Sequence, residues 1–247
     1  LGATVIEKNI EIRYRLVFDD GTEHIFDVLL DGQTLEQIRP APEDPPAWAR
    51  AEHGSMPFCE GAHQGDFCPA ALALHDLVKR CRALLSYTEV TAYVETAERT
   101  CVKRTSMQKV LSSLVGLLLA TSGCPALAVL KPLARFHLPF ATRRETLFRA
   151  ASCYILGEYF RREQGLAGPP TLEGLGEAYK RVHLVNLSLS RRLRELPGGD
   201  ANLNALVLLD VFAQDIALSI ESDLRDLRNL FEGYVDAGNR HDPYAAS

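Results

Sequence analysis

Motifs that announce a reaction are missing from this chain. It has no P-loop, no glycine-rich dinucleotide fingerprint, no G-x-S-x-G elbow and no H-E-x-x-H pair. A long hydrophobic run is missing too. The longest lies between Val110 and Ala120, is interrupted by Ser112 and Ser113, and falls short of the roughly 20 residues a membrane-crossing helix needs. No signal-peptide pattern is visible. The chain starts at Leu1 rather than Met, which leaves room for residues upstream. An excess of positive charge is also lacking: 27 Lys and Arg against 32 Asp and Glu give a net charge of -5. That balance argues against a general nucleic-acid or anionic-membrane binder, which needs a positive field, although a local basic patch is compatible with it. The six cysteines, Cys59, Cys68, Cys81, Cys101, Cys124 and Cys153, are scattered through a chain long enough to bury a core without crosslinks. An even count at this length is no disulfide framework. They are read as reduced thiols in a cytoplasmic setting.

What is present reads as an α+β protein with an N-terminal antiparallel sheet and a mostly helical remainder. From Ile10 to Phe18, Ile10, Ile12, Tyr14 and Leu16 alternate with Glu11, Arg13 and Arg15, the period of a half-buried strand. Asp19-Asp20-Gly21 supplies a turn, and Thr22 to Leu30 a second strand. A second hairpin is expected from Glu89 to Thr96 and Thr100 to Thr105, joined at Ala97-Glu98-Arg99. Two hairpins can share one four-stranded sheet, which gives each the partner it lacks alone. Between them, Asp31 to Asp66 is punctuated by Pro40, Pro42, Pro45, Pro46 and Pro57, so regular structure is not expected there. Cys68-Pro69 then opens a helix, with Pro suited to its first position.

From Ser106 onward the pattern is helical. Met107 to Ser122 is apolar nearly all round and reads as the central buried helix, ended by Gly123. Cys124-Pro125 starts a short helix to about Arg135. Thr142 and Glu145 form a capping box for a helix to about Glu163. Thr171 caps another that stops before Pro197-Gly198-Gly199, and Asp200 caps a long last helix ending near Gly233. The expected organisation is a sheet region with one inserted helix over 1–105, a helical bundle over 106–233 packed against it, and a loose tail over 234–247.

Two groups of residues are candidates for chemistry. The first is Cys59, His63, Cys68 and Cys124. Cys59-x3-His63-x4-Cys68 is compact, and thiolate and imidazole are ligands zinc prefers. A bound ion would tie down the Pro-rich loop. Cys124, like Cys68, precedes a Pro at an expected helix N-terminus, where the dipole favours thiolate. The expectation is a structural zinc site, with Fe–S ligation ranked behind it. The competing readings are small apolar residues in a loop that folds without metal, or a reactive thiol at Cys68 or Cys124 served by His63 or His137.

The second group is Arg135, His137, Asp210 and Gln214. Asp210 has Leu206, Val207 and Ala213 as its helical neighbours, and a buried carboxylate there needs a partner, for which Arg135 is the natural choice. The functional version is a small anion or polar-ligand site between helices, in a binding protein or small enzyme. The structural version is a satisfied buried ion pair. A structural or partner-binding protein with no site is the remaining alternative.

The stretches Ser112-Ser113-Leu114, Thr121-Ser122-Gly123-Cys124-Pro125, Ala134-Arg135-Phe136-His137-Leu138-Pro139-Phe140 and Asn204-Ala205-Leu206-Val207-Leu208-Leu209-Asp210 resemble a bacterial family known as a conserved domain of unknown function. The resemblance runs from the first hairpin to the last helix and carries no activity. It implies a loop with two cysteines two residues apart before the Cys-Pro helix. Cys59, Cys68 and Cys124 match that pattern. The extra cysteine falls near Met56, so His63 or His53 would have to complete the set.

Overall fold

The computed structural model describes residues 8–51, 66–166, 172–197, 200–221 and 224–238. The first two strands, β1 (Ile10–Phe18) and β2 (Glu23–Leu30), pair antiparallel with Ile10 opposite Leu30 and Tyr14 opposite Phe26. The turn between them needs Gly21 at φ +82°, a left-handed conformation that glycine adopts without steric cost. After α1 (Pro69–Arg80) come β3 (Glu89–Glu95) and β4 (Thr100–Ser106). The two hairpins merge through β1 and β3 into one antiparallel sheet of order β2-β1-β3-β4.

Period-two alternation decides which face is covered. Ile12, Tyr14 and Leu16 of β1, Phe26, Val28 and Leu30 of β2, and Val90, Ala92 and Val94 of β3 are all buried. The opposite face is charged and wet, with Arg13 bonded to Asp27 and Arg15 to Glu23.

The buried face receives α2 (Met107–Ala120), which follows β4 without a loop. Leu111, Leu114 and Leu117 are at most 2% exposed, each contributing about 2 kcal/mol by removal from water. The helix packs against α1 and α6. Two further long helices, α5 (Glu173–Arg194) and α6 (Asp200–Glu221), lie against each other. One contiguous cluster of buried side chains runs from the sheet through α1, α2, α5 and α6 to Leu227. The amphipathic α4 (Arg143–Glu163) carries the expected capping box. Thr142 Oγ1 accepts from the Glu145 N–H, and the Glu145 carboxylate accepts from the Thr142 N–H at 2.7 Å.

Two boundaries differ from the sequence reading. The stretch after Cys124 is a 3-10 turn over Pro125–Leu130 followed by α3 (Lys131–Arg135). Pro132 in the first turn of α3 has no N–H with which to continue an earlier helix. The axis of this stretch lies 115° from that of α2, so the segment leaves the core helix and doubles back. The last helix does not run on to Gly233. It stops at Glu221, and Leu224, at φ +51°, breaks the helical path before α7 (Arg225–Arg228) and α8 (Glu232–Gly238). The Thr171 cap lies outside the described residues, and α5 starts at Glu173.

Among the described residues, one helical segment, Asp200–Leu218, is long and apolar enough to cross a membrane, and 47% of it is buried within the fold. A core helix has the same length and composition.

Candidate functional site

The 3.6-residue period places Lys109, Ser112, Ser113, Gly116 and Ala120 along one side of α2. Apart from the lysine, these side chains are small. With Leu117 and Leu119 beside them, they border an open space against the neighbouring helices. The result is a cavity of about 390 Å³, roofed by α5 and α6 and closed at one end by the 125–142 segment and α4. Its lining is mostly apolar: Leu127, Leu130 and Leu133 from the doubling-back segment, Val182 from α5, and Leu209, Ala213 and Ile216 from α6. The size lies in the range of small-molecule sites.

Polar groups punctuate this wall. His137 Nε2 lies 2.5 Å from Tyr14 Oη, which is 2.9 Å from Ser113 Oγ, and the Phe140 N–H donates to Ser113 Oγ at 3.4 Å. One consistent assignment runs Phe140 N–H to Ser113, Ser113 hydroxyl to Tyr14, and Tyr14 hydroxyl to a neutral His137 Nε2, leaving the ring's proton on Nδ1. Burial, helped by the positive Arg149 nearby, pushes His137 down to about 4, so the imidazole is neutral at pH 7. Burial raises Tyr14 above the ordinary phenol range. The chain is therefore a fixed neutral relay.

Arg149, on α4, sits beside it. Its Nη2 donates to the carbonyls of Leu133 at 2.9 Å and Phe136 at 2.7 Å, which pins the segment closing the cavity. Among the described residues no carboxylate comes within 4 Å of this guanidinium. Desolvation lowers its pKa below the usual arginine value. Tyr179 and Asn186, both on α5, line the cavity as well, and each is at most 5% exposed. Neither side chain makes a hydrogen bond to any described residue.

The residues singled out from sequence are dispersed. His137 lines the cavity. Arg135 does not, and at the end of α3 its Nη1 lies 3.8 Å from Glu98 in the β3–β4 turn. Asp210 does not meet Arg135. Its Oδ1 is 2.5 Å from His183 Nδ1, and its Oδ2 accepts from Gln214 Nε2 at 2.9 Å. The expected Arg135–Asp210 ion pair is thus replaced by a His183–Asp210–Gln214 cluster. The cause is rotational: Leu209, Ala213 and Ile216 turn to the cavity, which aims Asp210 and Gln214 at α5.

Cys68 and Cys124 are both buried directly before Pro-headed helical turns. Cys59 and His63 lie outside the described residues. Among the described residues no three of His, Cys, Asp and Glu gather as a metal-ligating group. Cys81 is in the core as expected, and burial pushes its thiol up to about 12.

Sequence reasoning missed Arg149, Tyr14, Ser113, Tyr179 and Asn186. Two signals were there. One is the small-residue side of α2. The other is Asn186 inside an otherwise apolar helical stripe of Tyr179, Val182, Leu189 and Leu193, where a lone amide is out of place unless something meets it.

A family model, described as a domain of unknown function (DUF6901), matches residues 12–232, which spans the sheet and the helices through α7. The chain belongs to that family. The likeness read from its Ser-Gly-Cys-Pro and Ala-Arg-Phe-His-Leu-Pro stretches pointed to a domain of unknown function, and DUF6901 is one. No curated protein and no solved structure matches the chain. What a DUF6901 domain of this kind can do has to be argued from its cavity.

Proposed function

We propose that this protein binds a small, largely apolar organic molecule in the cavity between α2, α4, α5, α6 and the 125–142 segment. Asn186 carries the proposal. Its residue is 2% exposed and lines the cavity, yet its amide has no hydrogen-bond partner among the described residues. An amide that opens onto a space of ligand size supports an occupant that hydrogen-bonds to it. The neutral Tyr14–His137 relay and the small-residue floor of α2 fit the same reading. They offer fixed polar points in an apolar wall, the usual make-up of a small-molecule site.

The test is calorimetric titration of the full chain with 1-decanol, an apolar probe with one hydroxyl, paired with thermal unfolding. Saturable binding and a Tm that rises with probe concentration are expected. Ala213→Phe, which fills the space from α6, should abolish both while leaving the far-UV spectrum unchanged. A wild-type protein that takes up no decanol, or a filled variant that binds as well as wild type, contradicts the reading.

A structural zinc site at Cys59, His63, Cys68 and Cys124 is a separate proposal. What favours it is that both described thiols of the set are buried at helix starts. Elemental analysis of the purified protein decides it. The cytoplasmic setting inferred from the thiols has the same standing as a proposal.

A further inference from the structure

We infer that the cavity's ligand is an amphipathic acid whose carboxylate sits at Arg149. The inference rests on the reading of the cavity as a ligand site and adds the chemical class of the molecule.

Arg149 lines the cavity, is partly buried, and has no carboxylate within 4 Å among the described residues. A partly buried guanidinium with no ion pair gains from a counter-charge placed at its open donors. Two carbonyls take up only part of its donor set. Both are bonded by the same nitrogen, Nη2, so Nε and Nη1 have no acceptor among the described residues. They lie on different edges of the guanidinium, so a carboxylate meets one of them as a single charge-assisted contact. At the same end stand the Tyr179 hydroxyl and the His137 ring, whose Nδ1 has no hydrogen-bond partner among the described residues. These are further donors for an acceptor-only group.

The rest of the lining agrees with this polarity. Lys103 and Lys109 lie on the cavity wall, and neither makes an ion pair with a described residue. Among the described residues that line the cavity, none is an Asp or a Glu, in a chain with 32 acidic residues against 27 basic ones. Glu145, one turn before Arg149, is held in the capping box by the N–H and hydroxyl of Thr142 and is not part of the wall. The cavity therefore has a cationic end and an apolar body. Glu145 acts on Arg149 from outside the wall, and a negative group at the cavity itself would have to come from the ligand.

The experiment compares decanoate with 1-decanol, same chain and different head, by calorimetric titration of the full chain at pH 7 below the aggregation concentration of either. Decanoate is expected to bind at least about tenfold tighter, the value of one charge-assisted hydrogen-bonded contact. Arg149→Met should bring decanoate and decanol to equal affinity, the ratio of the two probes in the same variant cancelling any loosening of the segment that Arg149 pins. Arg149→Lys, which keeps the charge, should retain part of the ratio. Should Arg149→Met not fold, the double variant Lys103→Met, Lys109→Met reads the same field from exposed positions and should narrow the gap between the two probes. If decanol binds as tightly as decanoate to the wild type, the head-group inference is overturned and the cavity reading survives. If neither probe binds, both are overturned together. If the advantage persists undiminished in Arg149→Met, the carboxylate sits elsewhere and the assignment to Arg149 is wrong.

Discussion

Arg192 is buried and Arg149 half-buried, both sit on long helices, and neither has a carboxylate partner among the described residues. They differ in what surrounds them. Arg192, on α5, is 4% exposed. Its Nη1 donates to the carbonyls of Trp48 at 3.1 Å and Arg50 at 3.0 Å, on either side of the 3-10 turn Ala47–Ala49. It is a clamp that fastens the punctuated loop after β2 to the helical body. Its Nε is buried without a partner, but it does not line the cavity. Arg149 makes the same pair of carbonyl contacts and in addition faces an open space. An unspent donor in packed surroundings is a residual cost of the fold. An unspent donor on the wall of a cavity is a place for a ligand. The space around the charge, more than the count of hydrogen bonds, separates a structural arginine from a binding one.

The comparison can be broken by stability measurements. Arg192→Met strands two buried carbonyls and is expected to cost about 3 kcal/mol, or a Tm drop of about 6–12 °C for a chain of this size. Arg149→Met, beside a cavity that water can enter, should cost about half as much in the unliganded protein. Equal losses in chemical denaturation would remove the distinction between the two arginines.

A pH series sharpens it. His137 is lowered to about 4 by burial first and by Arg149 second, against an ordinary value near 6.5. The unfolded chain therefore binds the proton more readily. The associated stability is fully present above about pH 6.5 and is lost as pH falls towards 4, by on the order of 2–3 kcal/mol. Urea midpoints should fall across that window, and His137→Gln should flatten the slope. A variant that retains the full slope would place the titrating group elsewhere.

The elements that were legible in the sequence are those that local rules dictate. The β1–β2 hairpin follows from alternation and from Gly21. The capping box at Thr142 and Glu145 forms with both its bonds. The buried face of the sheet follows from residue parity. What was illegible depends on how elements rotate against one another. Asp210 looked in need of a cation and found His183, because helix α6 presents its neighbours Leu209 and Ala213 to the cavity instead. The left-handed Leu224 ended a helix whose apolar stripe continues past it. The cavity could not be read from any one segment, since it is made where the small side of α2 meets α5 and α6 without filling the gap. His137 was singled out as a polar residue in an apolar stretch, and it does reach that space. Arg149 was passed over because a basic residue on a helix is ordinarily solvated.

The most direct test of the central claim, that Arg149 neutralises an acid inside this cavity, is the carbon NMR titration of decanoate labelled at its carboxyl carbon and bound to the full chain. Beside the Arg149 guanidinium the bound carboxylate is expected to ionise at a lower pH than the same acid in water. A bound carboxyl that ionises at a higher pH, as apolar burial alone would impose, would contradict the account.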